Sequence, residues 1–81
     1  MPLIQLPKTV THGKTATIRV SSAPPHGAVT IILSDHRTFH LTASALGVAQ
    51  VVIAMPHRGK VGVLTEVAGV PLVPDRVISV L

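Results

Sequence analysis

The sequence predicts an all-β domain built as a sandwich of short strands. Three observations carry that expectation. Apolar and polar residues alternate with a period of two, as where Ala16, Ile18 and Val20 interleave with Thr15, Thr17, Arg19 and Ser21. Seven prolines and six glycines punctuate the chain, and the turn signals fall at roughly the 8–12-residue spacing of sandwiches and barrels. The stretches between them are rich in Val, Ile and Thr, which fit a pleated, half-buried surface.

The elements follow in order. Leu3 to Val10 is extended, and Pro2 and Pro7 confine it to an edge strand or an arm over residues 1–8. Thr11 to Lys14 is a turn, and Thr15 to Ser21 is a strand with Ala16, Ile18 and Val20 inward. The loop Ser22 to Gly27 is stiffened by Pro24 and Pro25. Ala28 to Leu33 follows with Val29, Ile31 and Leu33 on one face, then the polar hairpin turn Ser34 to Arg37. Thr38 to Thr42 returns with Phe39 and Leu41 inward. Val48 to Met55 turns Ala49, Val51, Ile53 and Met55 one way, and Pro56, lacking an N–H, ends that ladder. Lys60 to Val67 carries Val61, Val63, Thr65 and Val67 on one side. Ala68 to Asp75 is an irregular connection, and Arg76 to Leu81 is the final strand, about seven in all. The expected interior is Ile18, Val20, Val29, Ile31, Phe39, Leu41, Val51, Ile53, Val61 and Val63.

Length and composition narrow the role. Eighty-one residues make a single domain spanning 1–81, with no linker and no internal repeat. Hydrophobic residues are 47% of the chain and Phe39 is its one aromatic, so the core is aliphatic. Charged residues are 12%, against about 25% in an average soluble domain, and the mean hydropathy is +0.58. Such a chain is neither disordered nor expected to stay a solitary monomer. With no cysteine there is no disulfide, thiolate ligand or Cys nucleophile. Met1 to Pro7 has no basic, apolar leader pattern, and the apolar run Val51 to Pro56 falls far short of the ~20 residues that span a bilayer. No membrane role is expected.

The formal net charge is +4. Lys8, Lys14, Arg19, Arg37, Arg58, Lys60 and Arg76 are spread along the chain, the one local group being His57-Arg58-Gly59-Lys60. Scattered solubilising charge, without aromatics for bases to stack on, argues against nucleic acid.

Catalytic constellations are wanting. The acidic residues are Asp35, Glu66 and Asp75, two of them in turns that favour Asp for backbone reasons. Ser34, Asp35 and His36 are neighbours in one turn and cannot form a nucleophile–base–orienter geometry. Neither phosphate-cradling glycine motif occurs. His12, His26 and His57 sit in turns beside Gly or Pro. His36 and His40, if on one strand face, stand about 13 Å apart at ~3.3 Å per residue, too far for one ion. The expectation is no enzyme, no cofactor, no metal site and no small-molecule substrate.

The order of pieces carries a resemblance. Gly47, Ala49, Val51 and Ile53 fit a strand opening of the form G-x-A-x-V-x-V, and Pro56 and Gly59 fit the turn P-x-x-G that follows it. With Gly13 to Val20, the loop Pro24-Pro25-His26-Gly27 and the strand Ala28 to Leu33, this series resembles immunoglobulin-like modules of the bacterial invasin/intimin and Big type. It is similar too to the Ig-like modules of tailed-phage virion proteins. The resemblance covers about Lys8 to Val67 and implies an Ig-like antiparallel β-sandwich. Thr42-Ala43-Ser44-Ala45-Leu46 lacks the acidic residue that often precedes the glycine, and adhesins carry such modules in tandem. A lone module points to a virion protein.

One feature of the pattern exceeds what a sandwich needs. Ile32, Val48, Val52 and Leu64 have the parity of the outer face. A terminal segment folds over them, or they are the single exposed apolar residues common on protein surfaces, or the face meets another protein; the low charge favours the last. The expected interface residues are Leu3, Ile4, Leu6, Ile32, Val52 and Leu64. The expected function is a non-catalytic structural subunit of a phage virion, in capsid decoration or tail, docking through strand edges and that face. Its partners would be capsid or tail subunits, or further copies of itself. Two alternatives stand beside it: an Ig-like module of an adhesin on the bacterial cell surface, and a small basic β-barrel binding nucleic acid.

Overall fold

The computed structural model describes residues 2–73 and 75–81. Nine strands form in chain order: β1 (Leu3–Gln5), β2 (Thr9–Val10), β3 (Lys14–Ser21), β4 (Ala28–Leu33), β5 (Thr38–Thr42), β6 (Ala49–Met55), β7 (Gly59–Val67), β8 (Val70–Pro71) and β9 (Arg76–Val80). They make two packed sheets, one ordered β1-β3-β6 and the other β2-β9-β7-β4-β5, with β8 beside β7. The body measures 35 × 19 × 18 Å.

The alternation read in the sequence sets the register. Ile18 of β3 lies opposite Val51 of β6, and Ala16 opposite Ile53. In the second sheet Val29 meets Val67, Ile31 meets Thr65, and Leu33 meets Val63. Ile18, Val20, Val29, Ile31, Ile53 and Val63 are fully buried, and Ile78 and Val80 of β9 complete the core. Phe39, Leu41, Val51 and Val61 pack against this core but are only partly buried. Phe39, Leu41 and Val51 belong to β5 and β6, which border open sheet edges. Among the described residues the fully closed part of the core therefore holds no aromatic side chain, and Thr65 is its one polar member.

The strand count exceeds the expected seven for two physical reasons. The stretch Leu3 to Val10 is two strands in different sheets: β1 pairs antiparallel with β3, and β2 pairs parallel with β9. Pro7 lies at the crossover, where a residue without an N–H forfeits no ladder bond. The connection after β7 holds a two-residue hairpin turn, Ala68-Gly69, both with positive φ, which folds Val70 back opposite Val67. His36 has a φ of 73° and lies in the turn before β5, so the pairing of His36 with His40 on one strand face does not arise.

Candidate functional site

Antiparallel pairing sends the loops to two ends, and the ends differ in chemistry. At the upper end β3 finishes and β4 begins; at the lower end β4 finishes and β7 begins.

The upper end is apolar. A cleft of about 460 Å³ opens there, lined by Pro2, Ala23, Pro24, Val67, Val70 and Leu72 among others. A groove of about 370 Å³ shares Pro2 and Leu72 with it and adds Leu3, Pro71, Val73 and Arg76. Three side chains on this surface are well out in solvent: Val73 is 82% exposed, Val70 63% and Leu3 57%. Local structure fixes them in place. Val70 is held by the Ala68-Gly69 hairpin, and the Leu72 N–H donates to the Thr65 carbonyl at 2.8 Å. Val70 and Val73 are not marked by alternation in the sequence; their one local signal is apolar residues crowded beside Gly69 and Pro71 in a loop.

The lower end is basic. Lys14, Arg37, Arg58 and Lys60 stand at the strand ends or turns there, with His12, His36 and His57 between them. Separated in sequence, these four cations are brought to one end by the fold, with the Asp35 carboxylate among them. Arg37 is the most constrained. It pairs with Asp35 at 2.7 Å, its Nε donates to the same carboxylate at 2.9 Å, and its Nη1 donates to the Ala54 carbonyl at 2.7 Å. The hydrogen bond from Arg37 holds the Asp35 carboxyl below the usual carboxylate range. His12 Nδ1 lies 2.8 Å from the Leu81 carbonyl oxygen and 3.2 Å from Arg58 Nε. It can donate to the first or accept from the second, but not both at once.

The six expected interface residues do not share a surface. Ile32 and Leu64 come together as a cross-strand pair on the outer face of the second sheet, with the side-chain-free Gly62 and Asp75 beside them in a shallow groove. Val52 lies on the other sheet, opposite Thr17, and so faces away from that pair. Leu3 points outward, whereas Ile4 and Leu6 pack against the protein's own core. A single face holding Ile32, Val52 and Leu64 is thus excluded by topology, because period-two parity cannot tell which of two sheets a strand joins.

Among the described residues no three His, Cys, Asp or Glu side chains converge as metal ligands. No hydroxyl, imidazole and carboxylate among the described residues fall into one hydrogen-bonded line.

No family model matches the chain, and no curated protein matches it. A solved structure does: a carbohydrate acetylesterase from Xanthomonas citri superposes with a TM-score of 0.73 at 19% sequence identity. The match covers 96% of this chain and 19% of the esterase. At that identity the likeness is one of fold, and in the esterase the fold is a fraction of a longer chain.

Proposed function

We propose that this protein is a non-catalytic, immunoglobulin-like β-sandwich that serves as a docking subunit of a larger protein assembly and meets its partner through the apolar upper end. Strand order supports the Ig-like part of this reading. The sheet β1-β3-β6 follows the A-B-E order of such sandwiches and β4-β7-β9 the C-F-G order. The observation that carries the docking part is the cleft bordered by Val70 together with the adjoining groove bordered by Leu3 and Val73. Exposed apolar surface gathered around a concavity marks a contact site more often than a bare surface. A place in a tailed-phage virion rests on the resemblance of Gly47-x-Ala49-x-Val51-x-Ile53 and Pro56-x-x-Gly59 to virion Ig-like modules.

The test is made on particles from the native source. The protein should sediment with them, and Val70→Lys with Val73→Lys should release it while leaving the fold intact, since both side chains are exposed. Particles devoid of the protein, or a double variant that stays bound, would refute the reading.

A second reading has one observation behind it. The cations collected at the lower end favour contact with a nucleic-acid backbone, and binding to duplex DNA that weakens steeply with salt would identify it.

A further inference from the structure

The sheet β1-β3-β6 ends at β6, and among the described residues nothing pairs with the far side of that strand. Carbonyls alternate along a strand. Met55 turns its carbonyl toward the β3 side, where the Gly13 N–H donates to it at 2.9 Å. Val51 and Ile53 therefore face β3 as well, and Gln50, Val52 and Ala54 direct their N–H and C=O groups outward.

Sheets normally guard such an edge with charge, proline, a bulge or mere shortness. The other edges have these guards: β1 is three residues between Pro2 and Pro7, β2 is two residues, and β5 is flanked by Arg37. β6 has none. It is seven residues long, Ala-Gln-Val-Val-Ile-Ala-Met, without a charge or a proline, and it keeps unbroken register with β3 over all seven. The one restraint on it is Arg37, whose Nη1 occupies the Ala54 carbonyl; a carbonyl oxygen has a second lone pair.

We propose that this edge is a self-association site, taking β6 of a second copy antiparallel about a two-fold axis through Val52. The strand is close to self-complementary about that residue. Val52 meets Val52, Val51 meets Ile53, and Gln50 meets Ala54, so the middle of the contact is β-branched against β-branched and no like charges oppose. The outward N–H and C=O of Val52 exchange two hydrogen bonds with their copies, and Gln50 and Ala54 exchange theirs on either side. The result is a continuous sheet ordered β1-β3-β6-β6-β3-β1. It covers the Val52 side chain, 57% exposed in the single copy, and it leaves the upper end free.

The experiment uses Val52→Lys and Val52→Glu, each checked for native folding by circular dichroism. The unmodified protein should sediment as a dimer. Each variant alone should raise the dissociation constant at least roughly tenfold, because like charges then sit face to face at the axis. An equimolar mixture of the two should recover dimers, since the axis pairs Lys with Glu. Amide exchange gives a readout without substitution: the N–H groups of Gln50, Val52 and Ala54 should be protected at high concentration and lose that protection on dilution. A monomeric unmodified protein overturns the proposal. So do variants as dimeric as the parent, a mixture that stays monomeric, or edge amides whose exchange ignores concentration. None of these outcomes bears on the upper-end contact, which the Val70 and Val73 substitutions test separately.

Discussion

Gly47→Ala is the substitution whose consequence the structure specifies most fully. Gly47 closes the loop between β5 and β6, with its N–H donating to Ser44 at 2.9 Å and its carbonyl accepting from Ala23 at 3.0 Å. Its φ is +76°, and a Cβ built there overlaps the Ala23 carbonyl oxygen. Two costs then add. A left-handed conformation costs a residue with a Cβ roughly 1–2 kcal/mol. Moving a backbone segment to relieve the overlap weakens the Ala23–Gly47 hydrogen bond, worth about 1 kcal/mol. The sum is about 2–3 kcal/mol, a large share of the stability of so small a domain. In a domain of this size it lowers the melting temperature by roughly 8–24 °C. Gly13→Ala is the control: its φ is +84°, yet nothing lies within 4 Å of the added carbon, so it should lose the conformational share alone. Urea denaturation of the two variants separates the contributions. If Gly47→Ala is no worse than Gly13→Ala, the loop yields freely and the steric reasoning fails.

Three further outcomes are expected. Thr65 is buried at 2% exposure and its hydroxyl has no hydrogen-bond partner among the described residues; Thr65→Val should raise stability by about 1 kcal/mol in urea denaturation. Phe39 is only partly buried against the core, so Phe39→Ala should cost about 2 kcal/mol, below the ~3–5 of a fully enclosed aromatic, and calorimetry would measure it. The Asp35 carboxyl has its folded pKa depressed by Arg37, so its contribution is present above the unfolded pKa of about 3.9 and is lost as pH falls through the folded value. Because the pair is partly exposed and screened by solvent, that contribution should stay under about 1 kcal/mol, and Asp35→Asn should flatten the acid limb of a stability–pH curve.

Period-two alternation was enough to locate β4 and β5 residue for residue and β3, β6, β7 and β9 to within a residue at each end. Local backbone chemistry wrote those strands. The split of Leu3 to Val10 between two sheets was not legible, because alternation continues across Pro7 while partner choice depends on contacts with β3 and β9, far away in sequence. β8 escaped notice because Ala68, not Asn, takes the first left-handed position of its turn. The candidate surfaces depend most on such distant pairings. Ile32 and Leu64 meet because β4 and β7 are neighbours, and Lys14, Arg37, Arg58 and Lys60 share an end because three separate turns do. Neither fact is local.

The parallel pairing of β2 with β9 has a mechanical consequence. Leu3 leaves the upper end and Leu81 the lower, so tension along the chain pulls the two segments in opposite senses. Their bonds run from Ser79 N–H to Lys8, from Leu81 N–H to Val10 and from His12 N–H to Leu81. They lie side by side across the direction of pull, so they are sheared together and must give way together; they cannot open one at a time like a zipper. A domain held by its two termini would thus resist stretching through this patch and the β1–β3 ladder before it, while β4 and β5 lie outside the line of force.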